Sequence, residues 1–243
     1  MIRVDKKLVT VKLGKASMQI AILGTGTVGR TMATGLAKLR HTITIGTRDV
    51  AATLARTEVD ATANLTFTEW LAQHPTVRLA AYSDAASASE IVVNATPGGV
   101  SLAVLRAAGS SNLAGKVLID IANPLDFSRG FPPTLNPGNT DSLGEQIQRG
   151  FPAARVVKTL NTMTAALMID PGQAGTGDHT VFISGNAAAA KETVMQLLAT
   201  LGHDDIIDLG SIETARASEM LMPIWLRLWE ALGTPLLNFK IIR

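Results

Sequence analysis

A glycine-rich turn between an apolar run and a helical segment constrains this chain more than any other feature. Within residues 18–49, the apolar residues 20–23 are followed by glycines in G-x-G-x-x-G spacing and then by a segment of helical composition. Gly24 allows a tight turn out of a strand, Gly26 lets the backbone approach a pyrophosphate, and Gly29 lets the helix lie close to the sheet. The free N–H groups at the helix start favour the negative charge of a pyrophosphate. The stretch therefore predicts a dinucleotide-binding unit, and its strand–turn–helix context disfavours the alternative of a plain glycine-rich turn.

The end of the second predicted strand indicates which dinucleotide binds. NAD sites usually carry an acidic residue there, about 20 residues past the glycines. This chain has Gly46, Thr47 and Arg48 instead. A hydroxyl and a guanidinium would bind a 2′-phosphate that an acid would repel, so these residues favour NADP over NAD. Asp49 is predicted to cap the next helix, with contact to a ribose as the alternative.

Composition narrows the class of protein. At 243 residues, with 47% hydrophobic residues, the chain can bury a substantial core. Its formal net charge is +2, aromatic residues make up 4%, and Lys and Arg do not cluster in runs, so nucleic-acid binding has little support. The chain has no cysteine, which excludes disulfides and thiol catalysis. No apolar run approaches the roughly 18 residues of a membrane span, and we expect a cytoplasmic protein without membrane contact.

Strand-like and helix-like segments alternate after the glycine turn. We expect strands at residues 79–82, 91–94, 117–121, 155–160, 180–184 and 205–208. We expect helices at 50–56, 64–74 (capped by Thr68), 83–89, 142–148 and 187–201, and one long helix, apolar almost all round, at 213–232. This order predicts an α/β protein with a Rossmann-type doubly wound, mainly parallel sheet and a small C-terminal helical or αβ portion. The predicted parts are an N-terminal arm (1–17), a dinucleotide-binding domain (18–154) and a smaller domain that forms the substrate cleft and dimer contacts (155–243).

Loops beyond the predicted strands are the expected ligand contacts, because open α/β sheets bind ligands outside the carboxyl ends of their strands. Residues 95–99 follow a buried strand and would line the cofactor near its nicotinamide end, with a plain Pro-Gly turn as the alternative. Asn123 would hydrogen-bond a carboxamide or ribose, or would simply close a turn before Pro124. Residues 161–163 end another strand, and the breaker-rich residues 130–140 are expected to form a loop near the cleft.

No side chain stands out as a catalytic group or a metal ligand. The chain has four histidines, which are His41, His74, His179 and His203. They lack a carboxylate partner at metal or triad spacing, and we expect them on the surface or in turns. Lys158, near a strand end, could donate to a carbonyl, although plain solvation is the simpler expectation. Tyr82 is not followed by the Y-x-x-x-K pattern of short-chain dehydrogenases.

Several blocks, in order along the chain, resemble one family. They are GTGTVGR in the glycine turn, IGTRD after the second strand, VVNATPGG, VVKTLNTM and DLGSIETARASEMLMPIWLRL. From residue 18 onward the chain resembles the NADP oxidoreductases that use the deazaflavin coenzyme F420. The resemblance implies that NADP(H) lies across the strand ends and that F420 stacks on the nicotinamide. It also implies a cleft partly closed by C-terminal helices, and a homodimer.

The resemblance assigns roles to individual residues. The pyrophosphate would be contacted by Thr25, Gly26, Thr27 and Val28, between Gly24 and Gly29. The 2′-phosphate would be contacted by Thr47 and Arg48. The ribose and nicotinamide would lie along Ala95, Thr96, Pro97, Asn123 and Pro124. The second substrate would be bordered by Asn161, Thr162, Met163 and Met220. Where the deazaflavin enzymes carry His-Thr-Ile-Pro, this chain has Leu160 followed by Asn-Thr-Met, a departure in the second-substrate loop.

The expected function follows from these assignments. Hydride transfer between two bound rings needs close, parallel placement and exclusion of water, and it does not need a protein acid or base. The leading hypothesis is an NADP(H)-dependent oxidoreductase that exchanges a hydride with a small-molecule redox partner, F420 by resemblance. An imine- or pyrroline-carboxylate-type reductase is one alternative, but those enzymes have an all-helical second half, unlike the strands expected at 155–160 and 180–184. A non-catalytic NADP(H)-binding sensor is the other.

Overall fold

The computed structural model describes residues 17–60 and 64–243. Its centre is an eight-stranded sheet with the strand order β10-β9-β8-β5-β4-β1-β2-β3, and a separate hairpin pairs β6 with β7. The strands in chain order are β1 (Gln19–Leu23), β2 (Thr42–Thr47), β3 (Arg78–Ala81), β4 (Ile91–Asn94), β5 (Val117–Asp120), β6 (Leu125–Asp126), β7 (Thr134–Leu135), β8 (Arg155–Thr159), β9 (Thr180–Gly185) and β10 (Asp205–Gly210). The predicted N-terminal arm lies outside the described residues, apart from Ser17.

Helices connect the strands. In chain order they are α1 (Thr27–Lys38), α2 (Val50–Leu54), α3 (Phe67–Ala72), α4 (Tyr82–Ser87), α5 (Gly98–Ala108), α6 (Ser110–Leu113), α7 (Leu143–Gly150), α8 (Ala165–Ile169), α9 (Ala188–Thr200), α10 (Ala215–Met220) and α11 (Met222–Leu232). Two 3-10 turns, Pro171–Gln173 and Ile212–Thr214, precede β9 and α10. Within the described ranges, every helix is too short or too polar to span a bilayer.

The sheet is doubly wound and mainly parallel, which confirms the predicted fold class. Neighbouring strands of the large sheet run parallel except for β8 and β9, which are antiparallel. Because β5 pairs with β8, the sheet is continuous across residue 154. The division into 18–154 and 155–243 stays a prediction about domains. Strands β8, β9 and β10 confirm the strands predicted in the second half of the chain.

Both faces of β1 are covered by helices, which explains why the strand is apolar throughout. Ile20 and Ile22 lie in a buried cluster that also includes residues of α1, α8 and α9. Ala21 and Leu23 point to the opposite face, into a second cluster formed with α4, α5 and α7. Parallel strands buried on both faces read as continuous apolar runs rather than as alternating patterns.

The sheet winds outward in both directions from β1, which pairs with β2 on one side and β4 on the other. The loops after β1 and β4 therefore leave the sheet side by side, and the backbone N–H of Ala95 donates to the carbonyl of Leu23 (3.0 Å). Such a topological switch point is where open α/β sheets bind ligands, in the crevice beyond the carboxyl ends.

The helix predicted at residues 64–74 is the shorter α3, and its cap is Thr66, so the prediction of Thr68 as the cap was wrong. The Thr66 side chain accepts a hydrogen bond from the backbone N–H of Glu69, and the Glu69 carboxylate accepts one from the N–H of Thr66 (2.8 Å). This Thr-x-x-Glu spacing forms a capping box. Thr68 lies inside the helix, where its hydroxyl donates to the carbonyl of Leu54 (2.7 Å).

The single helix predicted at residues 213–232 is interrupted. A 3-10 turn and α10 come first, and α11 then begins at Met222 with Pro223 in its first turn. Proline has no N–H to donate and its ring crowds the preceding turn, so it kinks or breaks a helix that would otherwise continue through it. The apolar residues predicted almost all round this segment are present: α11 buries one face, with Trp225 and Leu226 packed near the β6–β7 hairpin, and leaves apolar residues such as Ile224 exposed on the other.

Two predicted loops contain regular structure. Helix α5 begins at Gly98, so the loop after β4 is confined to residues 95–97. The breaker-rich residues 130–140 include β7, which pairs antiparallel with β6.

Candidate functional site

Each glycine of the turn has its own structural reason. Gly24 has a φ of +126°, a conformation that L side chains rarely adopt. A Cβ on Gly29 would lie 2.1 Å from the carbonyl oxygen of Gly24, so α1 packs against the turn at a distance that only glycine permits. A Cβ on Gly26 would meet no atom of the described residues within 4 Å. The turn is thus tight at both ends and open in the middle.

The start of helix α1 faces this opening. Gly26 is the N-cap and has no side chain to bond the first N–H groups of the helix, which together with the helix dipole suit an anion. The hydroxyl of Thr27 hydrogen-bonds the carboxylate of Asp60, which also accepts from Arg30 Nη2 at 2.6 Å. Val28 is partly buried against the core. Asp60 therefore lies against the helix start, and no described atom fills the space at Gly26.

A cavity of about 530 Å³ lies beside this helix start. Thr25, Gly26 and Thr27 line one part of it, and Arg56 and Phe67 line another. Arg56 Nη1 donates to Thr25 Oγ1 at 3.0 Å, which brings a guanidinium to the glycine turn. Sequence reasoning missed Arg56 because this residue lies beyond the strand-end motif, after α2.

The end of β2 carries the residues predicted to select the cofactor. Thr47 is buried, and its hydroxyl lies 2.7 Å from Thr53 Oγ1. Arg48 is exposed. The Asp49 side chain accepts from the backbone N–H of Ala52 at 2.9 Å, which confirms the predicted helix cap. The carboxylate nearest the strand end is therefore already engaged by a helix.

The phenol of Tyr82 is close enough to the guanidinium groups of Arg48 and Arg56 to feel their charge. Burial raises the pKa of the Tyr82 phenol above its ordinary value, and the positive charges of Arg48 and Arg56 oppose that rise. Two arginines, one on each side of α2 in the sequence, thus act on Tyr82 at the start of α4, and Arg56 also reaches the glycine turn. Guanidinium groups suit a phosphate group.

The loop after β4 is held by buried polar groups. Thr96 Oγ1 donates to Asn94 Oδ1 (2.6 Å) and lies 2.9 Å from Ser101 Oγ, whereas Pro97 is exposed. Ala95 is half-buried at the start of the loop. The polar side chains point into the protein, and the loop presents its backbone and Pro97 to the outside.

The loops after β4 and β5 touch. A Cβ on Gly98 would lie 2.2 Å from the carbonyl oxygen of Asn123, so the start of α5 packs directly on the second loop. Pro124 is buried, and its carbonyl accepts from Asn136 N at 2.8 Å. The structure therefore brings the predicted nicotinamide residues of both loops to one place.

Two amides join the loop after β5 to the loop after β8. Asn123 Nδ2 donates to the carbonyl of Asn161 (2.7 Å), and Asn161 Nδ2 donates to Asn123 Oδ1 (3.0 Å) and to the carbonyl of Ser218 on α10 (3.1 Å). This amide pair, Asn123 with Asn161, connects the predicted cofactor and substrate sides.

The predicted second-substrate residues divide by exposure. Leu160 enters the loop with a φ of +58°, a costly conformation for a branched residue. Asn161, Thr162 and Met163 follow it and are buried. Met220, at the end of α10, is 47% exposed. Of the predicted set, Met220 is thus the side chain that is open to a ligand.

Lys158 is not solvated, as was expected, but fully buried. Its ammonium lies 2.9 Å from Asp120 Oδ2 and 2.8 Å from Glu219 Oε1. Burial alone would lower the pKa of Lys158, but the two carboxylates outweigh it and raise that pKa above its ordinary value. The lysine is therefore charged. Its burial depends on Glu219, which comes from a distant part of the chain that no local pattern connects to it.

The expectation that every histidine lies on the surface or in a turn was wrong for two of them. His179 and His203 are buried, and their rings meet edge to face with centroids 6.2 Å apart. His203 Nε2 lies 3.0 Å from the carbonyl oxygen of Met168, and burial lowers the pKa of this histidine below its ordinary value. His41 and His74 are half-buried.

Comparison with known proteins identifies the family. The family model described as NADP oxidoreductase, coenzyme F420-dependent, matches residues 19–124. A crystal structure from Arthrobacter sp. FB24, provisionally named an F420-dependent NADP reductase, is 66% identical and superposes with a TM-score of 0.90. The comparison covers 93% of this chain and 100% of the Arthrobacter chain.

More distant relatives match parts of the chain. The F420-dependent NADP reductase of Methanocaldococcus jannaschii is 28% identical over 58% of this chain, and the rat metalloreductase STEAP3 is 29% identical over 87% of it. The matched regions span only 62% and 38% of those two proteins. An imine reductase from Myxococcus stipitatus, 18% identical with a TM-score of 0.58 over 90% of this chain and 64% of its own, shares the fold. On the full-length match to the Arthrobacter protein, the chain belongs to the family of coenzyme F420-dependent NADP oxidoreductases.

Proposed function

We propose that this protein is an NADP(H)-dependent oxidoreductase that transfers a hydride between the nicotinamide and a second bound ligand, the deazaflavin coenzyme F420. The observation that carries the proposal is the guanidinium of Arg56, which donates to Thr25 in the open glycine turn, together with the exposed Arg48 at the end of β2. They supply positive charge where a 2′-phosphate distinguishes NADP from NAD.

The cofactor's phosphates would bind at the start of α1. Residues 25–28 would contact the pyrophosphate, because the space in front of Gly26 is open and the helix N–H groups there suit an anion. Arg48 and Arg56 would bind the 2′-phosphate by charge-assisted hydrogen bonds. Thr47 would join them only after its hydroxyl rotates away from Thr53, its present partner.

The nicotinamide half would lie along the loops after β4 and β5. Ala95, Thr96 and Pro97 would line one side, and Asn123 with Pro124 would line the other. Support comes from the contact between the two loops, since Gly98 packs on the carbonyl of Asn123. In this position the nicotinamide ring would reach the loop after β8, where Asn161 bonds both Asn123 and the carbonyl of Ser218 on α10.

Bound NADPH would supply the hydride, and the protein would supply placement. Hydride transfer between two rings gains most from holding the reacting atoms close and aligned in a dry site. The residues of this chain would orient the nicotinamide, exclude water beneath α10 and leave one face of the ring open. Residues 161–163 and Met220 would border the second ring.

F420 as the second ligand is supported by the names of relatives. The family model, the Arthrobacter structure and the Methanocaldococcus protein all carry F420 in their descriptions. Because the sequence after Leu160 is Asn-Thr-Met and not the family's His-Thr-Ile-Pro, the acceptor is tested separately from NADPH binding.

A homodimer is also proposed. Helix α11 exposes large apolar side chains, with Ile224 48%, Trp229 41% and Leu232 62% accessible. An exposed apolar face on a C-terminal helix favours burial against a second copy. Light scattering coupled to gel filtration tests this assignment, and a monomer at micromolar concentration would contradict it.

The direct test is NADPH oxidation with and without F420, followed through the absorbance of the reduced nicotinamide and the deazaflavin spectrum together. Loss of NADPH matched mole for mole by reduced F420 is expected, with much slower turnover of NADH. If NADPH binds tightly by calorimetry but F420 is not reduced, the second ligand is a different acceptor or the protein is a sensor. If NADPH does not bind, the whole proposal fails.

A further inference from the structure

Lys158 is a buried cation where three strand ends meet. It is a register neighbour of Asp120 on β5, which in turn is a neighbour of Asn94 on β4. Its ammonium pairs with Asp120 (2.9 Å) and Glu219 (2.8 Å) and donates to the carbonyl of Ala122. Asp120, Glu219 and the carbonyl of Ala122 thus surround the ammonium of Lys158, and Asn94 lies beside Asp120.

Asp120 connects Lys158 to the proposed cofactor loops. Its Oδ1 atom accepts from Asn94 Nδ2 (2.8 Å), and Asn94 Oδ1 in turn accepts from Thr96 Oγ1 (2.6 Å). The same Asp120 atom accepts from the backbone N–H of Ala122 (3.3 Å), just before Asn123. Both loops that would hold the nicotinamide are therefore fixed to this one carboxylate.

Glu219 connects Lys158 to the proposed second-substrate side. It belongs to α10, one residue before Met220, and it accepts from the backbone N–H groups of Leu143 (2.9 Å) and Gly144 (3.1 Å) at the start of α7. An ion pair between Arg216 and α7 adds a second link between the two helices. Helix α10 is thus bonded both to Lys158 and to α7.

Lys158, Asp120 and Glu219 form a buried triad in which one cation faces two carboxylates, so Lys158 alone does not balance the negative charge. The N–H groups at the start of α7 stabilise the additional negative charge on Glu219. Buried ionic groups carry a large desolvation cost, and apolar replacements are often as stable, so such a triad is weak evidence for a role in stability. What its directional bonds do provide is a fixed geometry between the elements that carry them.

We propose that Lys158 is a positioning residue for hydride transfer: through Asp120 and Glu219 it fixes the nicotinamide loops relative to α10 and thereby sets the separation of the two reacting rings. The inference rests on the proposed function. Lys158 touches neither ligand in this role. Its loss slows the hydride step more than it weakens NADPH binding, because transfer requires the reacting atoms to be held about 3–3.5 Å apart, whereas the phosphates bind elsewhere.

The test uses the double variant D120N/K158M. It removes the lysine charge without leaving Asp120 as an unpaired buried carboxylate, and Glu219 keeps its two backbone donors. The matched control is K191M, which breaks another lysine–aspartate pair (Lys191 to Asp208, 2.7 Å) between α9 and β10. Four quantities are measured and referred to the concentration of folded protein. They are the NADPH dissociation constant, kcat, KM for F420 and the isotope effect with NADPH deuterated at the transferred position.

For D120N/K158M we expect kcat to fall roughly ten- to a hundred-fold, with a larger isotope effect and a nearly unchanged NADPH dissociation constant. K191M is expected to match the wild type. A folded double variant with wild-type kcat and isotope effect would overturn the inference. If the double variant does not fold, E219Q takes its place, because it keeps the Lys158–Asp120 pair, removes the negative charge that links Lys158 to α10 and turns one acceptor of the α7 N–H groups into a donor; unchanged kinetics there would overturn the inference equally.

A second measurement separates this inference from the proposed function. If the wild type does not reduce F420, amide hydrogen exchange is followed with and without NADPH. Coupling through Lys158 predicts that NADPH slows exchange in residues 215–220 of the wild type and K191M but not of D120N/K158M. Equal protection in all three proteins would refute the positioning role, whatever the second substrate is.

Discussion

Two alanine substitutions in the glycine turn separate space for a ligand from space for packing. Gly26→Ala adds a methyl group where no described atom lies within 4 Å, at a backbone φ of −77° that alanine adopts freely. The smaller unfolded-state entropy of alanine, worth about 0.4–1 kcal/mol, is opposed by its poorer N-cap preference. We therefore expect the free energy of unfolding to stay within about 1 kcal/mol of the wild type.

The same methyl group stands where the pyrophosphate must approach. Losing one or two charge-assisted hydrogen bonds costs about 1.5–3 kcal/mol, which corresponds to about ten- to a hundred-fold weaker NADPH binding. Gly26→Ala should therefore produce a stable protein that binds its cofactor poorly.

Gly29→Ala is the matched control and should behave differently. Its Cβ would lie 2.1 Å from the carbonyl oxygen of Gly24, so α1 or the turn must move before the residue fits. Such overpacking typically costs about 1–3 kcal/mol, more than the roughly 1 kcal/mol that alanine gains over glycine inside a helix. Stability and NADPH affinity should fall together in this variant.

Urea denaturation measures the free energy of unfolding of both variants, and calorimetry measures their NADPH affinity. If Gly26→Ala is as unstable as Gly29→Ala, the space at Gly26 is occupied by the protein itself. If Gly26→Ala is stable and binds NADPH as tightly as the wild type, the phosphate does not approach there. Either result would refute the assignment of the pyrophosphate to this turn.

Three further predictions test other parts of the structure. Arg48→Ala and Arg56→Ala should each weaken NADPH by about ten- to a hundred-fold and NADH far less, and equal losses for both cofactors in calorimetry would refute the 2′-phosphate assignment. Because burial lowers the pKa of His203 in the folded state, the unfolded chain takes up this proton first as the pH falls below about 6.5, and the free energy of unfolding should decline by at most about 1.4 kcal/mol per pH unit. Urea denaturation across pH 5–7 should show a weaker pH dependence of that free energy in His203→Gln than in the wild type, and an unchanged pH dependence would contradict the prediction. Thr66→Ala should cost about 1 kcal/mol of stability by removing the capping box of α3, whereas Thr68→Ala should cost less, and thermal unfolding that ranks the two the other way would contradict the cap assignment.

The parts of the fold that follow local rules could be predicted from the sequence. The apolar run of β1, the three glycines and the cap at Asp49 each depend on residues within one strand–turn–helix unit, where spacing decides the conformation. The interruption at Pro223 was also available from a local rule, because proline inside a helix removes a hydrogen bond and crowds the preceding turn. Apolar periodicity was given too much weight there.

The buried triad depends on distant segments and could not be predicted in the same way. Lys158 can be buried because it forms ion pairs with Asp120 and Glu219, and no pattern near Lys158 in the sequence indicates that Glu219 is its partner. A partial signal did exist: β4, β5 and β8 each have a buried apolar stretch that is followed, in matching register, by Asn94, Asp120 and Lys158. Polar residues near the carboxyl ends of adjacent buried strands are candidates for mutual pairing.

The amide pair has a consequence for how the sequence can diverge among relatives. Asn123 and Asn161 each donate to the other, and Asn161 also donates to Ser218. Changing Asn161 removes the donor to Asn123 Oδ1, and changing Asn123 removes that acceptor together with the donor to the backbone carbonyl of Asn161, each at a cost of about 1–3 kcal/mol in a largely buried place. A substitution at either position alone is therefore destabilising. We expect positions 123 and 161 to covary across an alignment of relatives.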